Sequence, residues 1–502
     1  MTLHLSIMLW LPLALAVIGL VAPPRLAGRL ALVGSGLVLA YAITYLVDFE
    51  SGAAGLQYLT DEIWIGELGI HYKLGIDGLN LLLVALTGVL WFACTLWSTH
   101  HEWDRPRLFY FHLALAETAV LGALLAQDLA LFVVFFDLML VPFFFLTGMW
   151  GGARRVQATM KLVIYTLVGS LLMLTAAIAT GVLSAQGAPE LSFAFSDLLE
   201  RGALPESSQT WIFLFFAAAF LVKMPAFPLH GWMPDGYRAM PLPVLALFSG
   251  VLSKVAAYGF LKVCLPLFPD ASVQFQTLLL LIALASILYG SAMAFTTTEA
   301  RLILGYSSVA QLGFITLGIF ALNPQGAQGA LLQAFNHGLV VAPAFFVVAL
   351  LAARSSGSED IRDMGGLGMR APVLATLFLI VTFATLAMPG SSNFVGEFYI
   401  LLGVFTEKIV IAIVASTGVV LAAFYALRLF ITTMHNRTGA HVQSRELTFR
   451  EGLVLVPLVA LIIAIALYPQ FGLQRSEKSV TAVTAPADAL QSSAAVDEEE
   501  VR

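Results

Sequence analysis

Long apolar runs follow one another along almost the whole chain, from Leu3 to Tyr468. A helix needs about 20 predominantly apolar residues to cross a hydrocarbon core roughly 30 Å thick, and these runs reach that length. Apolar residues make up 59% of the chain and charged residues 11%, with a mean hydropathy of +0.90, unlike an ordinary soluble domain. The sequence therefore predicts an all-α polytopic membrane protein that lies in the lipid bilayer.

Breaking the apolar runs at charged or Pro/Gly-rich stretches predicts fourteen helices. They cover residues 3–22, 30–48, 79–97, 109–126, 129–149, 161–185, 210–235, 243–264, 276–296, 302–321, 328–352, 371–405, 409–433 and 451–470. Helices seven and twelve are overlong and contain proline, in LVKMPAFPLHGWMP and LAMPGSSNFVGEF. Because each proline removes a backbone donor, both helices are expected to break. Broken backbone at membrane depth needs protein or water around it, so the breaks indicate a cavity.

The two breaks lie five helices apart, which predicts two repeated five-helix units, inverted because five is odd. The predicted organisation is helices one to three in 1–108, a first unit in 109–265, a second unit in 275–433, helix fourteen in 434–470 and a disordered acidic tail in 471–502. Paired broken helices in inverted repeats are typical of an ion pathway. Two unrelated proline kinks are the alternative.

Lys and Arg are distributed unequally between alternate loops. Three basic residues follow even-numbered helices, namely Lys73, Arg201 and Lys408. Fifteen follow odd-numbered helices, namely Arg25, Arg29, Arg105, Arg107, Arg154, Arg155, Lys161, Arg238, Arg301, Arg354, Arg362, Arg370, Arg437, Arg445 and Arg450. Because cytoplasmic loops are enriched in basic residues, both termini are expected on the periplasmic side of a cell inner membrane.

A few titratable side chains lie inside the predicted helices, where an ionised group costs about 2.5 to 3.5 kcal/mol on insertion scales. They are Glu117, Asp137, Lys223, Lys254, His337 and Glu397, in helices four, five, seven, eight, eleven and twelve. Because neighbouring buried acids and lysines can exchange protons, this set predicts a proton relay. Static charges that hold helix contacts, or a histidine satisfied in the core, are the alternatives.

Three further residues lie close to the predicted interfaces. His230 and Asp128 are candidates for guiding protons into the relay, with simple interfacial solvation as the alternative. Lys262 lies near a helix end and is expected to snorkel towards the interface, so it is left out of the relay.

Other classes of function find no support in the sequence. The basic residues are scattered singly, so no nucleic-acid partner is expected. Cys94 and Cys264 stand alone in apolar segments and are expected to pack in the core. No histidine spacing suits a metal, and no phosphate-binding loop or nucleophile motif is present, so no cofactor or metal is expected in this chain. Any redox chemistry that drives ion movement must therefore lie in partner subunits.

Several stretches resemble the antiporter-like subunits of respiratory complex I, across helices three to thirteen. They are IDGLNLLLVALTG, KLVIYTLVGSLLML, FLVKMPAFPLHGWMPD, SKVAAYGFLK, ILGYSSVAQLGFITLG and SNFVGEF. The resemblance implies a central chain of charged residues, and its helix-five acid, two lysines and helix-twelve charge correspond to Asp137, Lys223, Lys254 and Glu397. It also implies proton pumping coupled to electron transfer from NADH to quinone.

The same resemblance implies what surrounds the chain. FMN, iron–sulfur clusters, NADH and quinone are expected in partner subunits, and the paralogous antiporter-like subunits L and N are expected as neighbours. A glutamate in helix twelve distinguishes one paralogue, since the others carry lysine there. A subunit of a cation/proton antiporter or of a membrane-bound hydrogenase, and a static membrane scaffold, are the alternatives.

The chain departs from the family pattern in three places. Asp137 is one methylene shorter than the usual glutamate. After WMPD the chain reads GYRAMP, so Tyr237 and Arg238 occupy positions often held by a histidine and its neighbour. Gln311 stands where a histidine is frequent in helix ten. These departures predict a locally altered proton route.

Overall fold

Helices dominate the structure, a computed structural model that describes residues 4–52, 55–188, 190–439 and 441–500, the last seven by backbone alone. The first half contains α1 Leu5–Val21, α2 Pro24–Asp48, β1 Gln57–Ile65, β2 Ile70–Ile76, α3 Leu81–Thr99, α4 Pro106–Leu125, α5 Leu129–Leu138, α6 Leu140–Trp150, α7 Arg155–Ser184, α8 Phe195–Glu200, α9 Glu206–Lys223, α10 Met233–Ala239, α11 Leu242–Leu247, α12 Ser253–Gly259 and α13 Leu265–Leu267. The second half contains α14 Pro269–Gln274, α15 Gln276–Thr296, α16 Ala300–Ile319, α17 Pro324–Arg354, α18 Pro372–Thr385, α19 Ser392–Glu407, α20 Ile409–Met434, α21 Phe449–Leu467 and α22 Gln470–Glu500.

Eleven helical segments within the described ranges are long and apolar enough to cross a membrane. Two shorter apolar helices, α1 and α18, accompany them. The most enclosed spans, Leu242–Leu267, Ala300–Ile319 and Pro324–Arg354, lie at the centre of the molecule. The predicted multi-pass helical membrane fold is confirmed, whereas the count of fourteen spans and the inverted repeats stay predictions.

Beside the predicted helices, the structure contains a β-hairpin that the sequence analysis did not predict. β1 and β2 pair as an antiparallel two-stranded sheet between α2 and α3. Gly69 makes the turn with φ +60°, and a Cβ there would collide with the Leu191 carbonyl, so the tight turn requires glycine. β1 is exposed from Asp61 to Ile65, whereas β2 is buried from Leu74 to Ile76. Both strands are shorter than a membrane-spanning apolar run, so the search for such runs passed over them.

The C-terminal tail also differs from its prediction, since 470–500 forms the long helix α22 rather than a disordered segment. Ser476, Val480, Thr484 and Ala487 are buried at helical spacing and face the rest of the protein. Composition alone suggested disorder because small and acidic residues dominate the tail, but packing against α13, α14 and α17 stabilises this helix. Positions 501 and 502 lie outside the described residues.

Both predicted helix breaks are present. In the first, α9 ends at Lys223 and α10 begins at Met233, with prolines in the connection. In the second, α18 ends at Thr385 and α19 begins at Ser392, on either side of the Pro-Gly pair. Each break lies on a helix that carries a predicted relay residue.

Two further irregularities were not predicted. Met139 separates α5 from α6, because Pro142 has no N–H for the Leu138 carbonyl one turn earlier. Predicted helix eight contains two π-helical turns, Phe248–Leu252 and Phe260–Cys264. Such turns are rare and occur frequently at functional sites, and these two flank α12, which carries Lys254.

Candidate functional site

Lys223 and Asp137 lie together at the first helix break without forming a direct ion pair. The Lys223 ammonium is 3% exposed, donates to the Phe136 carbonyl at 2.6 Å and lies 3.9 Å from the centre of the Phe136 ring. The Asp137 carboxylate interacts with Lys223 and with the Ser170 hydroxyl, but its Oδ1 has no hydrogen-bond partner among the described residues. The lysine is therefore held by the carbonyl next to the acid rather than by the acid itself.

Lys254 lies fully buried at the centre of the molecule. Its ammonium donates to the Ser249 carbonyl and, at 3.3 Å, to the Ser253 hydroxyl. Ser249 belongs to the first π-helical turn, and its carbonyl also accepts from the Ser253 hydroxyl at 3.1 Å. The irregular helix thus supplies the buried ammonium with oxygen partners, which a charge in this position requires.

His337 on α17 lies beside Lys254 and interacts with it electrostatically. The contact depends on a close approach of two backbones, because a Cβ on Gly338 would collide with the Gly250 carbonyl. Glycine at position 338 therefore lets α17 lie against the π-helical turn. The imidazole is 3% exposed, and its Nδ1 has no partner in the described part of the chain.

Glu397 is held by side-chain amides at the second break. The Gln311 amide donates to its Oε1 at 2.7 Å, the Gln333 amide reaches the same oxygen at 3.5 Å, and Gln333 also donates to the Gln311 carbonyl oxygen at 2.7 Å. Glu397 is the sixth residue of α19 and lies beyond its first turn, so side-chain amides rather than the N-terminus of this helix hold it.

Glu117 and His230 are both buried. Glu117 is 1% exposed, and no ion pair joins it to a basic residue within the described ranges. His230 packs its ring against Phe227 and Tyr289, with ring centres 5.7 and 4.8 Å away. The role of Glu117 in the relay and that of His230 in proton entry stay predictions.

Asp128 and Lys262 have clear structural partners. Asp128 is the N-cap of α5, where Oδ1 accepts from the Leu131 N–H at 3.0 Å and Oδ2 accepts from the His71 N–H at 3.1 Å. Lys262 forms an ion pair with Asp77 at 2.8 Å, and both side chains are largely enclosed. The expectation that Lys262 snorkels to the interface is therefore corrected, since a carboxylate satisfies it in place.

Comparison with known proteins gives the family. The family described as "NADH:quinone oxidoreductase/Mrp antiporter, TM" matches residues 126–424. NADH-quinone oxidoreductase subunit M of Rhodobacter capsulatus is 35% identical over 93% of each chain, and that of Escherichia coli strain K12 is 35% identical over 90% of this chain and 91% of its own. This chain belongs to the subunit M family of NADH-quinone oxidoreductases.

Solved structures agree with this membership. A chain of respiratory complex I from Thermus thermophilus superimposes with a TM-score of 0.88 at 30% identity, covering 96% of this chain and 100% of its own. A chain of the Mrp complex from Dietzia sp. DQ12-45-1b has a TM-score of 0.83 at 20% identity, covering 98% of this chain and 99% of its own, and shares the fold. The protein is thus an antiporter-like, multi-pass membrane subunit of an oxidoreductase with many subunits.

The altered GYRAMP segment of this subunit M family member lies in an ionic network that sequence analysis missed. Arg238 makes a bidentate contact with Glu299 at 2.8 and 2.8 Å, and Arg301 makes one with Glu359 at 2.7 and 2.6 Å. These four residues line a polar cavity of about 550 Å³. No sequence signal gave these pairs, because their members are about 60 residues apart.

Tyr237 lies between this ionic network and Lys254. Its side chain is fully buried, packs against Phe248 and interacts with the Ser249 hydroxyl. The Ser249 carbonyl accepts the Lys254 ammonium. The Tyr237 hydroxyl has no hydrogen-bond partner among the described residues, and the Ser249 hydroxyl pairs with that of Ser308 at 3.1 Å. Tyr237 therefore lies close to the residues that hold the central lysine without a continuous hydrogen-bonded path to it.

Proposed function

We propose that this subunit moves protons outward across the cell inner membrane, driven by electron transfer from NADH to quinone in partner subunits. The observation that carries the proposal is a set of buried titratable groups on helices from the first break to the second, two of which, Lys254 and His337, interact with each other. Lys223, Lys254, His337 and Glu397 are each at most 3% exposed. Because such groups are expensive inside a membrane and mark proton relays, their common burial supports transport rather than a static scaffold.

The proton passes along Lys223, His337, Lys254 and Glu397, with Asp137 as the acid beside the first lysine. Asp137 Oδ1, His337 Nδ1 and Glu397 Oε2 have no hydrogen-bond partner among the described residues. Buried polar atoms of this kind are usually satisfied by water, and water bridges carry protons between groups too far apart to touch. Each of the three atoms is thus an acceptor at which a proton arrives.

The chemistry that powers this movement lies in other subunits. Membership in the subunit M family supports placing FMN, iron–sulfur clusters, NADH and quinone in partner subunits, with the paralogous subunits L and N as the proposed neighbours in the membrane arm.

The central test is Lys254→Ala in the whole complex, reconstituted in vesicles. NADH oxidation and proton uptake are measured together, in preparations with equal amounts of assembled complex. Proton pumping is expected to fall to background, because alanine offers no titratable group at this position. Lys408→Ala is the matched control, since Lys408 is exposed, and it is expected to pump normally. Normal pumping by Lys254→Ala would remove Lys254 from the relay.

The proposed orientation places both termini on the periplasmic side. Cys94 and Cys264 are buried, so a cysteine introduced at exposed Ser492 is the main target of a thiol reagent that cannot cross membranes. Ser492→Cys is expected to react in intact cells, and Arg437→Cys, in a loop on the opposite side, is expected to react after lysis alone. The reverse pattern contradicts the proposed orientation.

A further inference from the structure

A long apolar groove lies between α3 and α21, away from the relay. Its volume is about 570 Å³, and it follows α3 from Leu82 to Leu96 and α21 from Leu453 to Ile465. At about 1.5 Å per helical residue it extends for roughly 21 Å, more than one leaflet of a hydrocarbon core about 30 Å thick. Its lining is apolar apart from Tyr468 at one end. The groove therefore has the length and the chemistry of an acyl-chain site.

A basic recess continues the groove directly beyond Leu96 and Leu453. This recess has a volume of about 250 Å³ and is lined by His100, Arg445 and Arg450, among others. Neither guanidinium forms an ion pair with a carboxylate in the described part of the chain. The acid of the lining, Glu451, is bonded to buried Arg354 at 3.1 Å. The recess is thus left with uncompensated positive charge.

The opposite end of the groove is less suited to an anion. Arg475 lies there, but its guanidinium donates to the Leu46 carbonyl at 3.2 Å and to the Phe471 carbonyl at 3.1 Å. It also stacks on the Phe471 ring at 3.9 Å. The free positive charge is therefore concentrated at the end formed by Arg445 and Arg450.

We propose that the groove and the basic recess together bind one anionic phospholipid. The acyl chain lies between α3 and α21, and the phosphate accepts hydrogen bonds from Arg445 and Arg450. Arginine suits a phosphate because its planar fork donates two hydrogen bonds at once. An acyl chain is equally apolar in the bulk bilayer and in the groove, so selection depends on the headgroup. The site accordingly prefers phosphatidylglycerol to a zwitterionic lipid.

The test uses the purified whole complex in nanodiscs of phosphatidylcholine with a minor fraction of phosphatidylglycerol. One of the two lipids carries a photoactivatable group on its acyl chain, and labelled peptides are identified by mass spectrometry. Labelling of α3 and α21 is expected from phosphatidylglycerol and in far smaller amounts from phosphatidylcholine. Equal labelling by the two lipids would overturn the proposal.

Three variants separate the two parts of the site. Arg445→Gln with Arg450→Gln is expected to weaken phosphatidylglycerol labelling roughly 30-fold, from the attraction of two basic side chains to an anionic lipid. Ala464→Trp, at an exposed position in the groove, is expected to remove labelling by either lipid. Arg437→Gln is the matched control, an exposed arginine away from the groove, and leaves labelling unchanged. Undiminished labelling in the double variant, or a partner-subunit peptide crosslinked in the groove, overturns the proposal.

Discussion

The first and second helix breaks hold buried charges of opposite sign by different means. At the first break and at the π-helical turn next to it, Lys223 and Lys254 donate to the main-chain carbonyls of Phe136 and Ser249. At the second break, Glu397 accepts from the side-chain amide of Gln311. The partners of the two lysines are thus main-chain atoms, which a substitution does not remove. The partner of Glu397 is a side chain, which a substitution can remove.

The difference matters when a proton moves. A carbonyl is an acceptor alone, and its bond is strongest while the lysine is a charged donor. The Gln311 amide donates to Glu397 Oε1, and a carboxyl oxygen accepts such a bond whether the carboxyl is ionised or protonated. The carbonyls at the first break therefore favour the charged form of the lysines, whereas the amide at the second break binds both the ionised and the protonated form of Glu397. Substitutions at the two breaks are expected to differ in size accordingly.

Among the substitutions that compare the two breaks, the largest effect is expected at Asp137, the acid of the first break. Asp137→Asn removes the charge beside Lys223 while leaving the Phe136 carbonyl in place. Proton pumping is expected to fall by roughly tenfold or more, because hydrogen bonds and contacts to charged groups contribute about 1.5 to 3 kcal/mol each. Quinone reduction and proton translocation are measured together in membranes with equal amounts of assembled complex.

Asp137→Glu is the matched variant, since it keeps the carboxylate and restores the length common in the family. A modest loss of pumping is expected, because the surroundings, including Ser170, have adapted to the shorter acid. If Asp137→Asn pumps like wild type, the acid is structural, and buried Glu117 becomes the better carboxyl candidate. That outcome would also contradict the expectation that substitutions at the first break have larger effects than those at the second.

The sequence predicted the parts of this site that carry charge or proline. Lys223 and Glu397 were identified because a charge inside an apolar helix is conspicuous, and both breaks were identified from their prolines. Gln333 was missed, because one amide in a helix is compatible with ordinary packing. Its role becomes visible when α16 and α17 are brought together, which puts the Gln333 amide 2.7 Å from the Gln311 side-chain oxygen.

Features that depend on tertiary packing could also not be predicted from the sequence. The π-helical turn at Phe248–Leu252 contains no proline, and the close approach of Gly250 to Gly338 that accompanies it joins residues far apart in the chain. The helical tail was mistaken for disorder because its stability comes from the buried faces of Thr484 and its neighbours. Neither the close approach of Gly250 and Gly338 nor the packing of the tail can be predicted from local composition.

An intermediate effect is expected at Gln311, the replaceable partner of the second break. Gln311→Leu removes the 2.7 Å donor to Glu397 and the acceptor of the Gln333 amide. Pumping is expected to fall several-fold, in line with a neutral donor to a carboxyl group worth about 1 to 2 kcal/mol. Gln311→His is the control, because an imidazole N–H again donates at this position. A loss in Gln311→Leu as deep as in Asp137→Asn would show that the two breaks are equally sensitive.

The smallest effect is expected at Tyr237, which lies between the ionic network and Lys254. Tyr237→Phe keeps the ring that packs against Phe248 and removes the hydroxyl that interacts with Ser249. Lys254 is held by the Ser249 carbonyl, which the substitution leaves in place, and the Tyr237 hydroxyl makes no hydrogen bond among the described residues. Pumping is therefore expected to fall by no more than about twofold to fivefold, the effect of losing a weak polar interaction of about 0.5 to 1 kcal/mol.

Ser249→Ala is the matched variant for Tyr237→Phe, because it removes the other hydroxyl of the same contact and keeps the carbonyl. If protons reach Lys254 through this contact, the two single variants and the double variant have the same reduced pumping rate, since each interrupts one connection. Additive losses would instead show two independent packing effects. If either variant loses pumping as completely as Lys254→Ala, the side chains of Tyr237 and Ser249 are needed for pumping, and the main-chain carbonyls at the first break are not sufficient.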